Sequence, residues 1–364
     1  MADKYAIDSH KLHYHPRAVV DVIEADTWES AKDVYPIYIE VSPVGACNHR
    51  CSFCAVDYIG YKSTMLDAEV FEQRIAEMSV LGVKSVMFAG EGEPLLHKKI
   101  TDMVDACWEN GVDCAFTTNL TVLPKNFDII SLGKISWIKV SINGGDSETY
   151  QRIHSAKKGD FEKVLSNIEV LCAARSRDNG NCTLGAQLVL LPDNADSVEG
   201  LIHLLKNHTD LDYLVVKPYS QHNFSHTRAY EAVDYRDHAV LAASLEELST
   251  DNFKVIVRTN SMRKYDSSDR YDRCYATPML WGYVMADGSV YGCSAYLLND
   301  KFKYGNWNDS SFKDIWTGER RKASFHHVCN DLDINDCRKN CRMDEINRYL
   351  HAIKNSSVIH KNFI

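Results

Sequence analysis

The feature that most constrains this chain is an alternation: six times a short apolar segment of strand length is followed by an amphipathic stretch of helical period. Ile37–Val41 reads as the first strand. After a long loop, a helix opens at Asp67, an N-cap residue type, carries Phe71, Ile75 and Met78 as its apolar stripe, and stops at Gly82. Lys84–Ala89 is the second strand, and the next helix presents Ile100, Met103, Val104 and Cys107 before Gly111. Asp113–Thr117 and Trp137–Ile142 are the third and fourth strands, Leu184–Leu191 the fifth and Tyr213–Val216 the sixth. Helices over Phe161–Ala174 and around Val198–Leu205 fall between them. Repeated strand-then-helix units imply a parallel sheet with right-handed crossovers. The pattern leaves an open sheet and a barrel both standing. In either, functional loops gather at the C-terminal ends of the strands.

From Tyr283 onward the texture changes to short strands, Asp287-Gly288 and Tyr291-Gly292 turns, and cysteines, so a smaller module is expected from near residue 270. No apolar run reaches about 18 residues, and Met1–Tyr14 resembles neither a secretory signal nor a transit peptide, so the expectation is a cytoplasmic protein with no membrane partner. A net charge of −9 without a dense Lys/Arg stripe argues against a nucleic-acid substrate.

Twelve cysteines are many for a chain of this kind, and under reducing conditions they point to metal or redox chemistry before disulfides. Cys107 and Cys172 on apolar helix faces, and Cys114 and Cys182 at strand starts, read as small core hydrophobes. The others fall in two groups. Cys47, Cys51 and Cys54, spaced C-x3-C-x2-C, follow the first strand directly. Three thiolates on one short loop can wrap a [4Fe–4S] cubane and leave one iron open for chemistry. Zinc is the competing reading. Its structural sites want a fourth ligand at regular spacing, and His49 inside the triplet is poorly placed to supply it.

At these residues the chain resembles the radical S-adenosylmethionine (SAM) superfamily, over roughly residues 36–220. The resemblance implies a partial (β/α)6 TIM-like barrel. It implies that Cys47, Cys51 and Cys54 ligate the cluster, and that SAM, chelated to the open iron, is cleaved reductively to a 5′-deoxyadenosyl radical. Phe53 matches an aromatic residue beside the adenine. Gly90-Glu91-Gly92-Glu93-Pro94 is similar to the Gly-Gly-Glu-Pro motif that meets SAM's amino group, with Glu91 interrupting the usual glycine pair. Thr118 and Asn119 end the third strand. Ser141-Ile142-Asn143-Gly144 is similar to the Ser-Ile-Asp-Gly segment near the ribose and carboxylate, with Asn143 where Asp is common. Gln187 and Leu190 on the fifth strand are expected to border the adenine.

The second group is Cys274, Cys293, Cys329, Cys337 and Cys341. Cys274 and Cys293 flank an expected hairpin, Pro278–Met285 and Ser289–Tyr291 around Ala286-Asp287-Gly288. Cys337 and Cys341 stand at i, i+4 in a segment that reads as helical, which would point both thiols the same way. Two thiols from each element can enclose a further cluster; zinc, or unrelated core cysteines, are the alternatives. This resembles the SPASM and twitch auxiliary-cluster modules of radical SAM enzymes. Only the last C-x3-C of the larger cysteine block is present, which favours one auxiliary [4Fe–4S] cluster held by Cys274, Cys293, Cys337 and Cys341. Cys329 is left as a structural thiol, a substitute ligand, or a hydrogen-atom donor as in radical epimerases.

The expected organisation is an N-terminal arm (1–35), the barrel (36–235), a connecting helix and strand (236–272), a small α+β auxiliary module (273–345) and a tail (346–364). About 36 residues before the first strand are too few for a peptide-leader domain. That favours a small, carbohydrate-like substrate undergoing oxidation or epimerisation, with peptide maturation as the alternative. Lys217, Tyr219 and His222 after the sixth strand, and Arg258 after the strand Phe253–Val257, are the candidate substrate contacts. An external one-electron reductant such as flavodoxin or ferredoxin is the implied partner.

Overall fold

The computed structural model describes residues 4–178, 180–235, 238–265 and 270–363. The expected domain boundary at residue 236 lies outside them. Ten strands, β1 (Tyr38–Val41), β2 (Ser85–Phe88), β3 (Asp113–Thr118), β4 (Ile135–Ser141), β5 (Thr183–Leu190), β6 (Tyr213–Pro218), β7 (Lys254–Val257), β8 (Trp281–Val284), β9 (Ser289–Tyr291) and β10 (Lys303–Asn306), form one sheet. Its order is β10-β9-β8-β1-β2-β3-β4-β5-β6-β7, and every pair from β8 to β7 is parallel. The terminal strands β10 and β7 do not pair, so the curved sheet is a partial barrel with helices outside it. The six expected barrel strands sit within one or two residues of their places, and the expected Pro278–Met285 strand shortens to β8. The expected cap is present too: the Asp67 carboxylate accepts from the backbone N–H groups of Glu69 and Val70 at the start of helix Ala68–Val80.

Strand alternation separates a packed outside from an open inside. Along β4, Ile138 and Val140 are buried in the main core, whereas Trp137, Lys139 and Ser141 on the other face are only half-buried. Gln187 on β5 and Lys217 on β6 follow the same pattern. A closed TIM barrel fills its interior with side chains; here the inward residues of β4, β5 and β6 stay partly accessible. Cys107, Cys114, Cys172 and Cys182 are all buried, as a core role requires.

Two features differ from the sequence reading. First, the distal module is not a separate layer. β8 pairs with β1 in parallel register, Tyr38 opposite Trp281 through Val41 opposite Val284, so the hairpin continues the barrel sheet. A strand this far away in sequence can only be placed there by tertiary packing, which local periodicity does not report. Second, the N-terminal arm is ordered. Helices Pro16–Glu24 and Trp28–Ala31 bury Val22 and Trp28 against Phe325 and Leu350 of the C-terminal region. Arg321, fully buried, holds this junction: its guanidinium donates to the carbonyls of Ala31, Lys32, Val34, Pro278 and Trp316. Those carbonyls lie in and after the arm's second helix or in the module.

Candidate active site

The loop after β1 carries Cys47, Cys51 and Cys54, and the chain folds it against glycines that nothing larger can replace. A Cβ on Gly92 would lie 2.1 Å from the Val44 carbonyl oxygen and 2.4 Å from that of Ala46. Gly90 has φ of +114°, a left-handed conformation that favours glycine, and its hydrogen faces Ser42 and Tyr283. The Glu93 N–H then donates to Ala46, which ties the loop after β2 to the cysteine loop. Fully buried, the Glu93 carboxylate accepts from Leu95 N–H, Asn119 N–H and the Thr118 hydroxyl, and burial pushes its pKa up to about 7. Asn119 in turn donates to Asn48 at 2.8 Å. Gly90, Gly92, Glu93, Pro94, Thr118 and Asn119 are thus brought together around the first thiol.

Each of the three sulfurs meets a polar group. Cys47 Sγ accepts the His49 backbone N–H at 3.4 Å. Tyr61 and the Val56 backbone bond to Cys54. Cys51 Sγ lies 3.2 Å from Nδ1 of His154, a residue at the end of helix Ser147–His154 that sequence reasoning missed. The Asn143 backbone N–H donates into His154 Nε2 at 3.1 Å, which leaves the proton on Nδ1 facing the thiol. Burial holds the His154 pKa down to about 3, so the ring is neutral. The Asn143 side chain is occupied as well, donating to the same Nε2 and accepting from Val189 N–H. Phe53 packs edge-on against His154. His49 is also closer than its sequence position suggested: His49, Cys51 and His154 place ligand atoms within 4.8 Å of one another, and buried His49 faces the Asp160 carboxylate with its Nε2 at 3.5 Å.

Ser141, Gln187 and Lys217 form a chain across β4, β5 and β6. Lys217 Nζ donates to Gln187 Oε1 at 3.1 Å, and Gln187 Nε2 to Ser141 Oγ at 2.8 Å. Leu190 borders an apolar groove with Leu191, Pro192 and Val233, and the loop after β6 reaches over the cysteine loop, where Ser225 bonds to Cys54 O and Thr227 to Ser52 O. The other expected substrate contacts already have partners within the chain. His222 is buried, stacked on Tyr58, with Nε2 3.4 Å from the Ser294 carbonyl and its pKa held down to about 4 by burial. Buried Tyr219 bonds to Gln221. Arg258 pairs with Asp8 of the N-terminal arm at 3.3 Å.

Cys274, Cys293, Cys337 and Cys341 converge in the module, close enough that each other's charge acts on Cys293. The Cys337–Cys341 segment is not helical, which corrects the sequence reading. Cys337 is extended (φ −79°, ψ 143°) and Asn340 takes a left-handed φ of +53°, so a turn rather than an i, i+4 helix pair brings the two thiols to one side. The sulfurs again have donors: Thr277 N–H and Asn347 Nδ2 at 3.4 Å from Cys274, and the Tyr296 hydroxyl 3.4 Å from Cys337. Fully buried Asn347 also accepts from the N–H groups of Tyr275 and Ala276, fixing the Cys274 turn. Cys329, on helix Glu319–Asn330, packs in the cluster between the arm and the module.

These thiols suit a polynuclear cluster better than a single ion. A zinc–sulfur bond of about 2.3 Å puts neighbouring sulfurs about 3.8 Å apart. Neither cysteine group closes to within 4.8 Å as a threesome among the described residues. Buried sulfurs with N–H and O–H donors are what bridged iron clusters use.

Residues 41–205 match the family model of the Radical SAM superfamily, and residues 274–342 that of the SPASM iron-sulfur cluster-binding domain. The chain is a radical SAM enzyme with a SPASM-type module. Such domains imply [4Fe–4S] clusters and bound SAM. Among curated relatives, this radical SAM enzyme is 26% identical over 193 residues to GTP 3′,8-cyclase of Chlorobaculum tepidum, covering 52% of the chain and 56% of that protein. It is 30% identical over 135 residues to the probable GTP 3′,8-cyclase of Methanosarcina mazei, 36% of the chain and 40% of the relative. The chain thus spans about half the length of the curated relatives it matches. Its fold is similar to Streptococcus suis SuiB bound to S-adenosylmethionine (TM-score 0.62, 17% identity, 80% of this chain and 68% of that one). It is likewise similar to anSMEcpe with bound AdoMet (TM-score 0.62, 17% identity, 88% and 96%). No helix among the described residues is long and apolar enough to cross a membrane.

Proposed function

We propose that this radical SAM enzyme abstracts hydrogen from a small polar substrate held inside the partial barrel, giving oxidation or epimerisation with help from one auxiliary cluster. The observation that carries the reading is the arrangement of seven thiols: three on the loop at the C-terminal end of β1, and four converging beside the hairpin that continues the same sheet. When bound, a cluster on Cys47, Cys51 and Cys54 supplies the electron that cleaves SAM to a 5′-deoxyadenosyl radical. The chain's own residues do the rest. Glu93, clamped by Thr118 and Asn119, sets the loop that faces SAM's amino group. Ser141 and Gln187 offer polar atoms toward its ribose, and Phe53 and Leu190 offer apolar surface toward its adenine. Cys274, Cys293, Cys337 and Cys341 would hold the second cluster, which would take up the electron released when the substrate radical is oxidised. Cys329 packs between the arm and the module, and as a hydrogen donor it would have to reach the barrel cavity from there. An external flavodoxin- or ferredoxin-like protein supplies the reducing electron.

A small molecule is supported by the barrel cavity and by sequence similarity to proteins named for a nucleotide substrate. Peptide modification is the second reading, favoured by fold similarity to SuiB, a protein seen bound to its precursor peptide SuiA. Anaerobic reconstitution tests the assignment. About eight irons per chain are expected from two cubanes, and Ala at Cys47, Cys51 and Cys54 should abolish 5′-deoxyadenosine formation. About four irons, or surviving SAM cleavage in the triple variant, overturns it.

A further inference from the structure

The inward face of the barrel sheet carries two lysines that the protein gives no carboxylate. Lys139 on β4 and Lys217 on β6 are both half-buried on the inward faces of their strands. Lys217 Nζ meets only the neutral Gln187 amide oxygen, and Lys139 Nζ lies 5.0 Å from the Trp137 ring centroid. Neither has a carboxylate partner among the described residues, whereas two arginines near them do. Arg342 pairs with Glu40 of β1 at 3.0 Å, and Arg258 with Asp8 at 3.3 Å. The charges that act most strongly on the two ammonium groups are cations: Arg258 and Arg342 on both, Lys139 on Lys217, and Lys11 on Lys139. Burial, and then these neighbours, hold each pKa down to about 7. Two lysines without a counter-charge on one inward face cost stability whenever both are protonated, and proteins tolerate such an arrangement where a ligand completes it.

We infer that the cavity binds an anionic substrate, a phosphate ester or a carboxylate, whose charged group is taken by Lys139 and Lys217. This rests on the reading of the cavity as the substrate site and narrows the substrate class within it. Arg342 and Arg258 add long-range attraction while staying paired. The aliphatic stem of Lys139 and the Trp137 ring give the substrate body an apolar wall. Ser141 and Gln187 connect the anion end of the cavity to the strand ends where SAM is expected, so a substrate anchored by its charge presents its neutral end toward the radical.

The test is calorimetric titration of the reconstituted holoenzyme, saturated with SAM so that the SAM carboxylate position is filled. Inorganic pyrophosphate, glucuronate and glucose are the three probes. Pyrophosphate or glucuronate should bind at least tenfold more tightly than glucose, and which of the two prevails distinguishes a phosphate from a carboxylate. The double variant Lys139→Met, Lys217→Met should lose at least tenfold in anion affinity, and the charge-preserving Lys217→Arg should retain most of it. Equal binding of glucose and the anions overturns the inference, as does unchanged anion binding in the double variant. SAM-cleavage assays on the same wild-type preparation report separately on the radical reading, so its failure is distinguishable from failure of the anion site.

Discussion

His154 illustrates what a single buried side chain can do beside a thiolate. Its Nε2 is committed to the Asn143 backbone, so its Nδ1 proton faces Cys51. A hydrogen bond to a ligating sulfur stabilises the reduced cluster and raises its potential. His154→Leu is therefore expected to lower the midpoint potential of the SAM-binding cluster by on the order of tens of millivolts. Spectroelectrochemical titration checks this, with the auxiliary cluster as internal reference; an unmoved potential rejects the role. The residue was invisible in the sequence because an isolated His at a helix end has no pattern to belong to. The three thiols it serves were legible from spacing alone, and Gly92 from its place in a motif. Lys139 escaped for a different reason: on a strand read only for its apolar face, an inward lysine looks like ordinary alternation.

At the scale of elements, local signals placed the strands to within a residue or two but not their partners. The six strand–helix units, the Asp67 cap and the β8–β9 hairpin were readable because each is set by nearby residues. The helical reading of Cys337–Cys341 failed because i, i+4 spacing is only permissive, and Asn340 with its left-handed backbone makes a turn instead. The ordered N-terminal arm was missed because its anchor, Arg321, lies nearly three hundred residues away in sequence. That anchor is demanding. Replacing Arg321 with Met removes every guanidinium donor at once and leaves the Lys32, Pro278 and Trp316 carbonyls without that partner, while Val34 keeps the Trp316 indole and Ala31 the Val34 N–H, so the expected loss is about 3–5 kcal/mol. Urea denaturation measures it, and a loss under about 1 kcal/mol would mean that water or other donors already serve those carbonyls.

For the whole molecule, the decisive pairing is β1 with β8. Without β8, β1 becomes an unpaired sheet edge of the kind that invites aggregation. Barrel and module should therefore unfold in one transition. Tryptophan fluorescence reports Trp108 and Trp137 in the barrel, Trp28 in the arm and Trp281, Trp307 and Trp316 in the module, and far-ultraviolet circular dichroism should follow the same denaturant midpoint. Two separated midpoints would show the module to be an independent unit.

The same pairing fixes something kinetic. β1 runs straight into the loop of the first three thiols, and β8, its hydrogen-bonded neighbour, opens the hairpin that ends at Cys293. Clusters held on these loops would share one sheet as their chassis, and an electron passing between them would cross a gap set by the β1–β8 pairing rather than by a hinge between domains.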